Sequence, residues 1–129
     1  MCFVYTTVLA FSFESYYIAD MMDTAVQTEL DKLKELIINA IPVEQIYLFG
    51  SCAYGTPHKD SDLDLFIVLK DEVQLRDIEA AIKIRLAIGD QQSMPLDLLV
   101  IKRSRYLERK NAPTLERKIA REGILIYAA

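Results

Sequence analysis

Two apolar strands joined by a polar segment constrain the fold of this chain more than any other feature. Residues 45–49 form a short buried strand that ends at Gly50-Ser51, and a second apolar run, residues 63–69, opens beside Asp62 and Asp64. Successive side chains of a strand point to opposite faces of the sheet, so Asp62 and Asp64 share one face. Two carboxylates on one strand face, next to a glycine turn that exposes backbone N–H groups, predict a site for a divalent cation and a phosphate chain.

The length of the sequence indicates one folded domain. A chain of 129 residues has room for one core and little room for a second domain. We assign residues 22–129 to that domain and leave residues 1–21 as an N-terminal extension without an assigned role. Residues 2–13 are apolar, but they lack the basic start of a signal peptide and are too few to span a membrane.

Charge and cysteine content exclude some functional classes and indicate the cellular setting. The net charge of −4 argues against a protein that coats DNA or RNA. Cys2 and Cys52 show neither metal-ligand nor disulfide-framework spacing, which favours a reducing, cytoplasmic setting. Three cations after the third predicted strand, Lys102, Arg103 and Arg105, could meet a triphosphate or a partner, although a solvated helix face is the simpler interpretation.

The periodicity of apolar residues predicts alternating helices and strands. The class is therefore α/β or α+β, with a small mixed sheet of three to five strands flanked by helices. Apolar residues at helical spacing, Leu75, Ile78, Ile82 and Leu86, mark the second long helix. Helices are predicted over residues 24–41, 75–88, 104–110 and 114–122, and strands over residues 45–49, 63–69, 96–101 and 124–127.

A third carboxylate completes the set that phosphate chemistry requires. Asp97 is the only charge in the apolar run of residues 95–100. An unpaired carboxylate is costly to bury, so Asp97 should face a cation or a cleft. If its strand neighbours the strand of Asp62 and Asp64, the three groups converge. Such carboxylates suit two Mg²⁺ ions that hold the attacking and leaving oxygens of a nucleoside triphosphate in line during nucleotidyl transfer.

The glycine turn suits the other end of the same substrate. Glycine permits close backbone approach, and N–H groups at a following helix start attract phosphate. Gly50 and Ser51 are therefore expected to bind the β- and γ-phosphates while the aspartates act near the α-phosphate. One helical turn is predicted near residues 52–54. His58 and Cys52 in the same loop are more simply read as an exposed residue and a packing residue.

These motifs resemble the minimal nucleotidyltransferase branch of the DNA polymerase β-like superfamily over roughly residues 22–129. The pattern is Gly50-Ser51, ten residues, Asp62-x-Asp64, and later Asp97. The resemblance implies phosphate binding by Gly50 and Ser51, magnesium binding and catalysis by the three aspartates, and ATP as the usual nucleotide. Many relatives have arginine where this chain has Tyr54, which puts any contact of that arginine in doubt.

Many stand-alone members of that branch are antitoxins that transfer AMP to a helical HEPN-type protein, and this is the function expected here. The chain is too short for a separate acceptor domain, so acceptor recognition must come from another molecule or from another copy of the chain. Two alternatives stay open: a non-catalytic antitoxin that acts by occlusion, and transfer to a small molecule of the aminoglycoside type. Calcium binding is disfavoured, because Leu65 and Asp71 stand where an EF-hand loop requires glycine and glutamate.

Overall fold

The computed structural model describes residues 24–50 and 62–129, which form helices on both faces of a single mixed sheet. This architecture confirms the α/β class with a small mixed sheet flanked by helices. The elements, in chain order, are α1 (Thr24–Ala40), β1 (Val43–Phe49), β2 (Leu63–Leu69), α2 (Asp77–Ile88), β3 (Leu96–Lys102), α3 (Arg103–Arg109), α4 (Leu115–Glu122) and β4 (Ile124–Ala128).

The four helices and four strands predicted within the described residues are all present, with small shifts at their ends. Strand β1 begins at Val43, two residues before the predicted start. Helix α4 begins after Thr114 rather than at it, because the Thr114 hydroxyl oxygen caps the helix by accepting the Arg117 N–H at 3.2 Å. Helix α2 ends at Gly89, as predicted, where the Gly89 N–H donates to the Arg85 carbonyl at 2.9 Å.

The order of strands across the sheet is β3-β2-β1-β4. Strand β1 runs antiparallel to both β2 and β4, while β2 and β3 are parallel. A parallel pair needs a crossover connection, and helix α2 supplies it between β2 and β3. As a result β3 is an outer strand, and β2 lies between β1 and β3.

Each face of the sheet has its own apolar core. Helices α1 and α2 cover one face, which we call the α1/α2 face, with Leu33, Ile37 and Ile84 fully buried against the strands. Helices α3 and α4 cover the other, the α3/α4 face, where Tyr106 and Ile119 are buried. The strand residues buried on the α3/α4 face are Tyr47, Phe66, Val68 and Ile101.

Helix α2 buries a different side from the one that its clearest apolar spacing marks. Ala80, Ile84 and Ile88 face the core, whereas Ile78, Ile82 and Leu86 are exposed, Leu86 by 77%. Apolar residues lie on both sides of this helix, so periodicity alone does not choose the buried side. In the part of the chain that the structure describes, no helix combines the length and the apolar character that crossing a bilayer requires.

Candidate active site

One row of residues across the sheet brings two of the three predicted carboxylates side by side. In the strand register, Asp64 of β2 is paired with Phe49 of β1 on one side and with Asp97 of β3 on the other. The adjacency inferred from the sequence for the strands of Asp64 and Asp97 is therefore present. Asp62 precedes β2 by one residue and is exposed. Side-chain alternation assigns Asp62 and Asp64 to the α3/α4 face, together with Phe66.

The three carboxylates act on one another electrostatically. Partial burial raises the pKa of Asp64 above its usual value, and the negative charge of Asp97 raises it further. A hydrogen bond between the carboxyl groups of Asp64 and Asp97 contributes in the same direction, as does the charge of Asp62. A carboxyl group with two acidic neighbours holds its proton more tightly because the neighbours disfavour a further negative charge. Asp64 therefore lies within electrostatic reach of both Asp97 and Asp62.

Gly50 lies directly against this acidic row. It follows the end of β1 and has a φ of +81°, which side chains rarely tolerate. A Cβ atom built on Gly50 would lie 3.0 Å from the Asp64 Cγ and would overlap its Oδ2. Glycine is required here for two reasons, the backbone conformation and the space that the Asp64 carboxylate occupies. The turn and the carboxylates therefore form one site.

The donor set fits a divalent cation such as Mg²⁺. Carboxylate oxygens are the ligands that hard cations prefer, and Asp62, Asp64 and Asp97 offer them at the exposed end of a sheet. Partial burial, together with the charges of Asp97 and Asp62, raises the pKa of Asp64, and a bound cation would favour its ionised form again. Within residues 24–50 and 62–129, no three His, Cys, Asp or Glu side chains are arranged as a ready-made metal cluster.

Two polar residues outside the motif contact the segment that leads into Asp97. Glu29 of α1 accepts the Ser93 N–H at 2.6 Å, and Arg85 of α2 donates to the Leu96 carbonyl at 2.9 Å. The sequence analysis missed both. Glu29 carried a readable signal, since it is a charged residue within the apolar spacing of α1, whereas Arg85 on an exposed position of α2 carried none.

The basic residues near the third strand do not reach the acidic row. Lys102 ends β3, about 16 Å along the strand from Asp97. Arg103 lies 3.9 Å from Glu44, at that same distant end. Lys102 and Arg103 therefore lie at the end of β3 that is away from the aspartates, which counts against a contact of these cations with a triphosphate at the acidic row. A role towards a partner stays a prediction.

Several predicted features lie outside the described residues. They are the phosphate-binding role of Ser51, the helical turn near residues 52–54, and the side chains of Cys52, Tyr54 and His58. The N-terminal extension, residues 1–21, also lies there, so the predicted domain boundary at residue 22 stays a prediction. The described part of the motif consists of Gly50, Asp62, Asp64 and Asp97.

Comparison with known proteins links this site to a family. Residues 31–129 match the sequence model described as polymerase beta, nucleotidyltransferase. The match spans β1, the acidic row and every later element. A search of curated proteins found no match.

Solved structures with this fold include toxin–antitoxin complexes. A variant of the toxin–antitoxin MntA-HpeT is 22% identical with a TM-score of 0.54, over 77% of this chain and 73% of that one. A second variant of that pair is 25% identical with a TM-score of 0.53, over 77% and 72%. A toxin–antitoxin with AMP-PNP is 25% identical with a TM-score of 0.50, over 77% and 73%.

Proposed function

This chain belongs to the polymerase β nucleotidyltransferase family, and from that premise we propose that it transfers AMP from ATP to a partner protein in a Mg²⁺-dependent reaction. The partner we propose is a HEPN-type helical toxin, with this chain as its antitoxin in the cytoplasm. The observation that carries the proposal is the register that pairs Asp64 with Asp97 on neighbouring strands, within electrostatic reach of Asp62.

The proposed roles follow from the chemistry of each group. Asp62, Asp64 and Asp97 would hold two Mg²⁺ ions, which would neutralise the triphosphate and the charge that develops on the leaving pyrophosphate. Gly50 has no side chain of its own, which permits a phosphate to approach its backbone closely at the edge of this site. Ser51 follows Gly50 directly and adds a hydroxyl donor for the β- and γ-phosphates. Asp64, the most buried carboxylate of the three, is oriented between Gly50 and Asp97.

The choice of nucleotide and partner rests on the similar structures at 25% identity. One of them is a toxin–antitoxin with AMP-PNP, an ATP analogue, and another is a toxin–antitoxin pair. This chain covers about three quarters of each of those chains. An adenine nucleotide as donor and a protein as acceptor are the inferences that those relatives support for this chain.

A transfer assay with labelled ATP tests the proposal. The chain is incubated with Mg²⁺, ATP labelled in the α-phosphate, and the protein encoded by the adjacent open reading frame. We expect label on that protein with the wild type and a loss of about a thousandfold with Asp64→Ala, because several kcal/mol of charge stabilisation disappear with the carboxylate. Equal labelling by Asp64→Ala would exclude the proposed site.

The alternative of a non-catalytic antitoxin is separated by the double variant Asp62→Ala/Asp64→Ala. If catalysis neutralises the toxin, cells that carry the double variant lose protection although the two proteins still bind. Full protection by the double variant would replace the catalytic proposal with occlusion. Turnover of aminoglycosides in a screen of small acceptors, with no label on the protein partner, would favour transfer to a small molecule.

A further inference from the structure

The position of Asp97 is not secured by packing on its own face of the sheet. Strand β3 is one of the two outer strands, so it has a neighbour on one side only. At its start Pro95, Asp97 and Leu99 are all exposed, Leu99 by 39%, whereas Ile101 near its end is buried. Outer strands with few buried contacts open more readily than central ones. Apolar packing on the α3/α4 face therefore does not hold the first half of β3 against β2, and other contacts must do so.

Hydrogen bonds from three different elements hold the segment of residues 93–96. The Ser93 N–H donates to Glu29 of α1 at 2.6 Å, and the Pro95 carbonyl accepts the Leu63 N–H of β2 at 2.9 Å. The Leu96 carbonyl accepts from the Arg85 guanidinium of α2 at 2.9 Å. Consecutive carbonyls of a strand point to opposite sides, so Pro95 bonds towards β2 and Leu96 bonds towards the open edge. The segment is fixed on both sides immediately before Asp97.

Of the groups that bond to residues 93–96, Glu29 has the largest desolvation cost, because its charge is buried. It is the one charged residue that is buried among residues 24–50 and 62–129, with 3% of its surface exposed. Burial works to raise the pKa of Glu29, but hydrogen bonds from Ser93 and Lys32 outweigh it and leave the pKa below its usual value. Lys32 lies 3.0 Å from Glu29 and also donates to the Ser93 hydroxyl at 3.3 Å. A charge kept in an apolar helix face, with both partners in place, indicates a specific structural task.

We propose that Glu29 and Arg85 are positioning residues that hold the start of β3 so that Asp97 stays paired with Asp64. The inference rests on the proposed function for its catalytic meaning, since Asp97 matters for transfer only if it belongs to the active site. Neither residue contacts the nucleotide. Their effect reaches the reaction through the backbone of residues 93–96, at a distance from the motif.

Amide hydrogen exchange of the isolated chain tests the positioning directly. The reporter is the Leu63 amide, which donates to Pro95, and the internal reference is the Lys70 amide, which donates to Pro42 at the other end of β2. Arg85→Met keeps the aliphatic stem of an exposed side chain and removes the donor. Glu29→Leu removes the acceptor and leaves an apolar residue that suits the apolar face of α1, so the fold is kept.

The matched control is Glu116→Leu. Glu116 is another shielded carboxylate, 14% exposed, which pairs with Arg109 at 3.1 Å on the α3/α4 face. It contacts none of the residues that hold the start of β3. We expect Leu63 to exchange about tenfold faster relative to Lys70 in Arg85→Met and Glu29→Leu, the effect of losing one hydrogen bond to a charged group. In Glu116→Leu the ratio should match the wild type.

Two results would overturn the proposal. One is an unchanged ratio of the Leu63 and Lys70 exchange rates in both variants. The other is an equal change of that ratio in Glu116→Leu, which would mean that the contacts of Glu29 and Arg85 only contribute to general stability. The transfer assay then connects the position to catalysis: kcat should fall about tenfold in both variants and recover partly in Arg85→Lys, with Glu116→Leu unaffected. Normal kcat with lost Leu63 protection would refute the catalytic part. A wild type without transfer would refute the proposed function, while the exchange data would still decide the positioning.

Discussion

The two faces of the sheet differ in how completely they are covered. The α1/α2 face is apolar from end to end, and it buries residues of β1, β2 and β3, such as Leu48, Leu65 and Leu96. The α3/α4 face is apolar from the row of Tyr47 and Phe66 towards the far end of β2, whereas the row on the other side of that pair holds Asp64 and Asp97. One face therefore supplies the larger share of the stability, and the other combines a smaller core with charged groups that repel one another.

This difference explains how a small domain can hold an unfavourable cluster of charges. Apolar burial contributes about 25 cal/mol per Å² regardless of what lies on the opposite face, so the α1/α2 face stabilises strands whose other side carries the carboxylates. Active sites commonly retain groups that lower stability because function requires them. Truncation of apolar core residues on the α1/α2 face should accordingly affect stability, and substitution of the carboxylates on the α3/α4 face should affect activity.

The largest expected effect is the loss of activity in Asp97→Asn. Asparagine keeps the size of the side chain and removes the negative charge, so transfer should fall about a thousandfold, equivalent to about 4 kcal/mol. The melting temperature should stay equal or rise, since the repulsion between Asp97 and Asp64 disappears. Measured kcat and thermal unfolding on the same preparation check both. A fall in both together would mean that Asp97 is structural and would break the contrast between the faces.

The reverse pattern is expected for Leu33→Ala on the α1/α2 face. Leu33 is fully buried, and truncating such a leucine costs about 3 kcal/mol through lost burial and the cavity that remains. Activity per folded molecule should match the wild type at a temperature where the variant is folded. Urea denaturation gives the stability and an active-site titration gives the folded fraction. A specific loss of kcat would show that the two faces are not independent.

The acidic site was accessible to sequence reasoning because its signals are local. Spacing of two residues sets Asp62 and Asp64 on one face, and a lone charge in an apolar run identifies Asp97. The contact of Gly50 with Asp64 was not accessible, because it depends on the antiparallel pairing of β1 with β2. The glycine was assigned to phosphate approach alone, while the structure adds a steric reason from the neighbouring strand.

The elements were predictable and some of their contacts were not. Long apolar runs, with Gly89 and Gly123 as helix stops, located the helices and strands within two residues. The buried side of α2 could not be chosen, since Ile82 and Ile84 point in different directions on a helix that carries apolar residues on two sides. The contact of Glu29 with Ser93 joins residues 64 positions apart, and only the tertiary arrangement reveals it.

Gly50→Ala tests the contrast between stability and activity at the residue that contacts the Asp64 carboxylate. A Cβ at Gly50 must displace the Asp64 carboxylate, and alanine disfavours a φ of +81°. We expect a loss of stability of about 1 to 2 kcal/mol from the backbone conformation, together with a fall in kcat of about a hundredfold from the displaced carboxylate. Thermal unfolding and the transfer assay measure the two effects.

Gly89→Ala is the control, since Gly89 also has a positive φ, 58°, but lies away from the acidic row. It should lower stability by a similar amount without lowering kcat, and a loss of kcat there would show that strain alone explains Gly50→Ala.

The smallest effect is the pH dependence of stability that Asp64 contributes. Its pKa is raised in the folded state above the ordinary value of 3.8, so over the range between those two pKa values the folded protein binds more protons than the unfolded chain. Linkage then requires that stability falls as pH rises through that range and that the penalty persists above it. Asp64→Asn removes the titrating group, so the variant should match the wild type below pH 3.8 and exceed it at neutral pH. Urea denaturation across the pH range, in EDTA to exclude divalent ions, measures the difference.

Added Mg²⁺ should restore the stability of the wild type and leave the variant less affected, because the cation takes over the neutralisation that the proton supplies at low pH. The contradicting result is a wild type that gains stability relative to Asp64→Asn as pH rises. Such a gain would mean that the folded protein stabilises the ionised form of Asp64 without any cation. The carboxylates of the α3/α4 face would then not lower the stability of the fold.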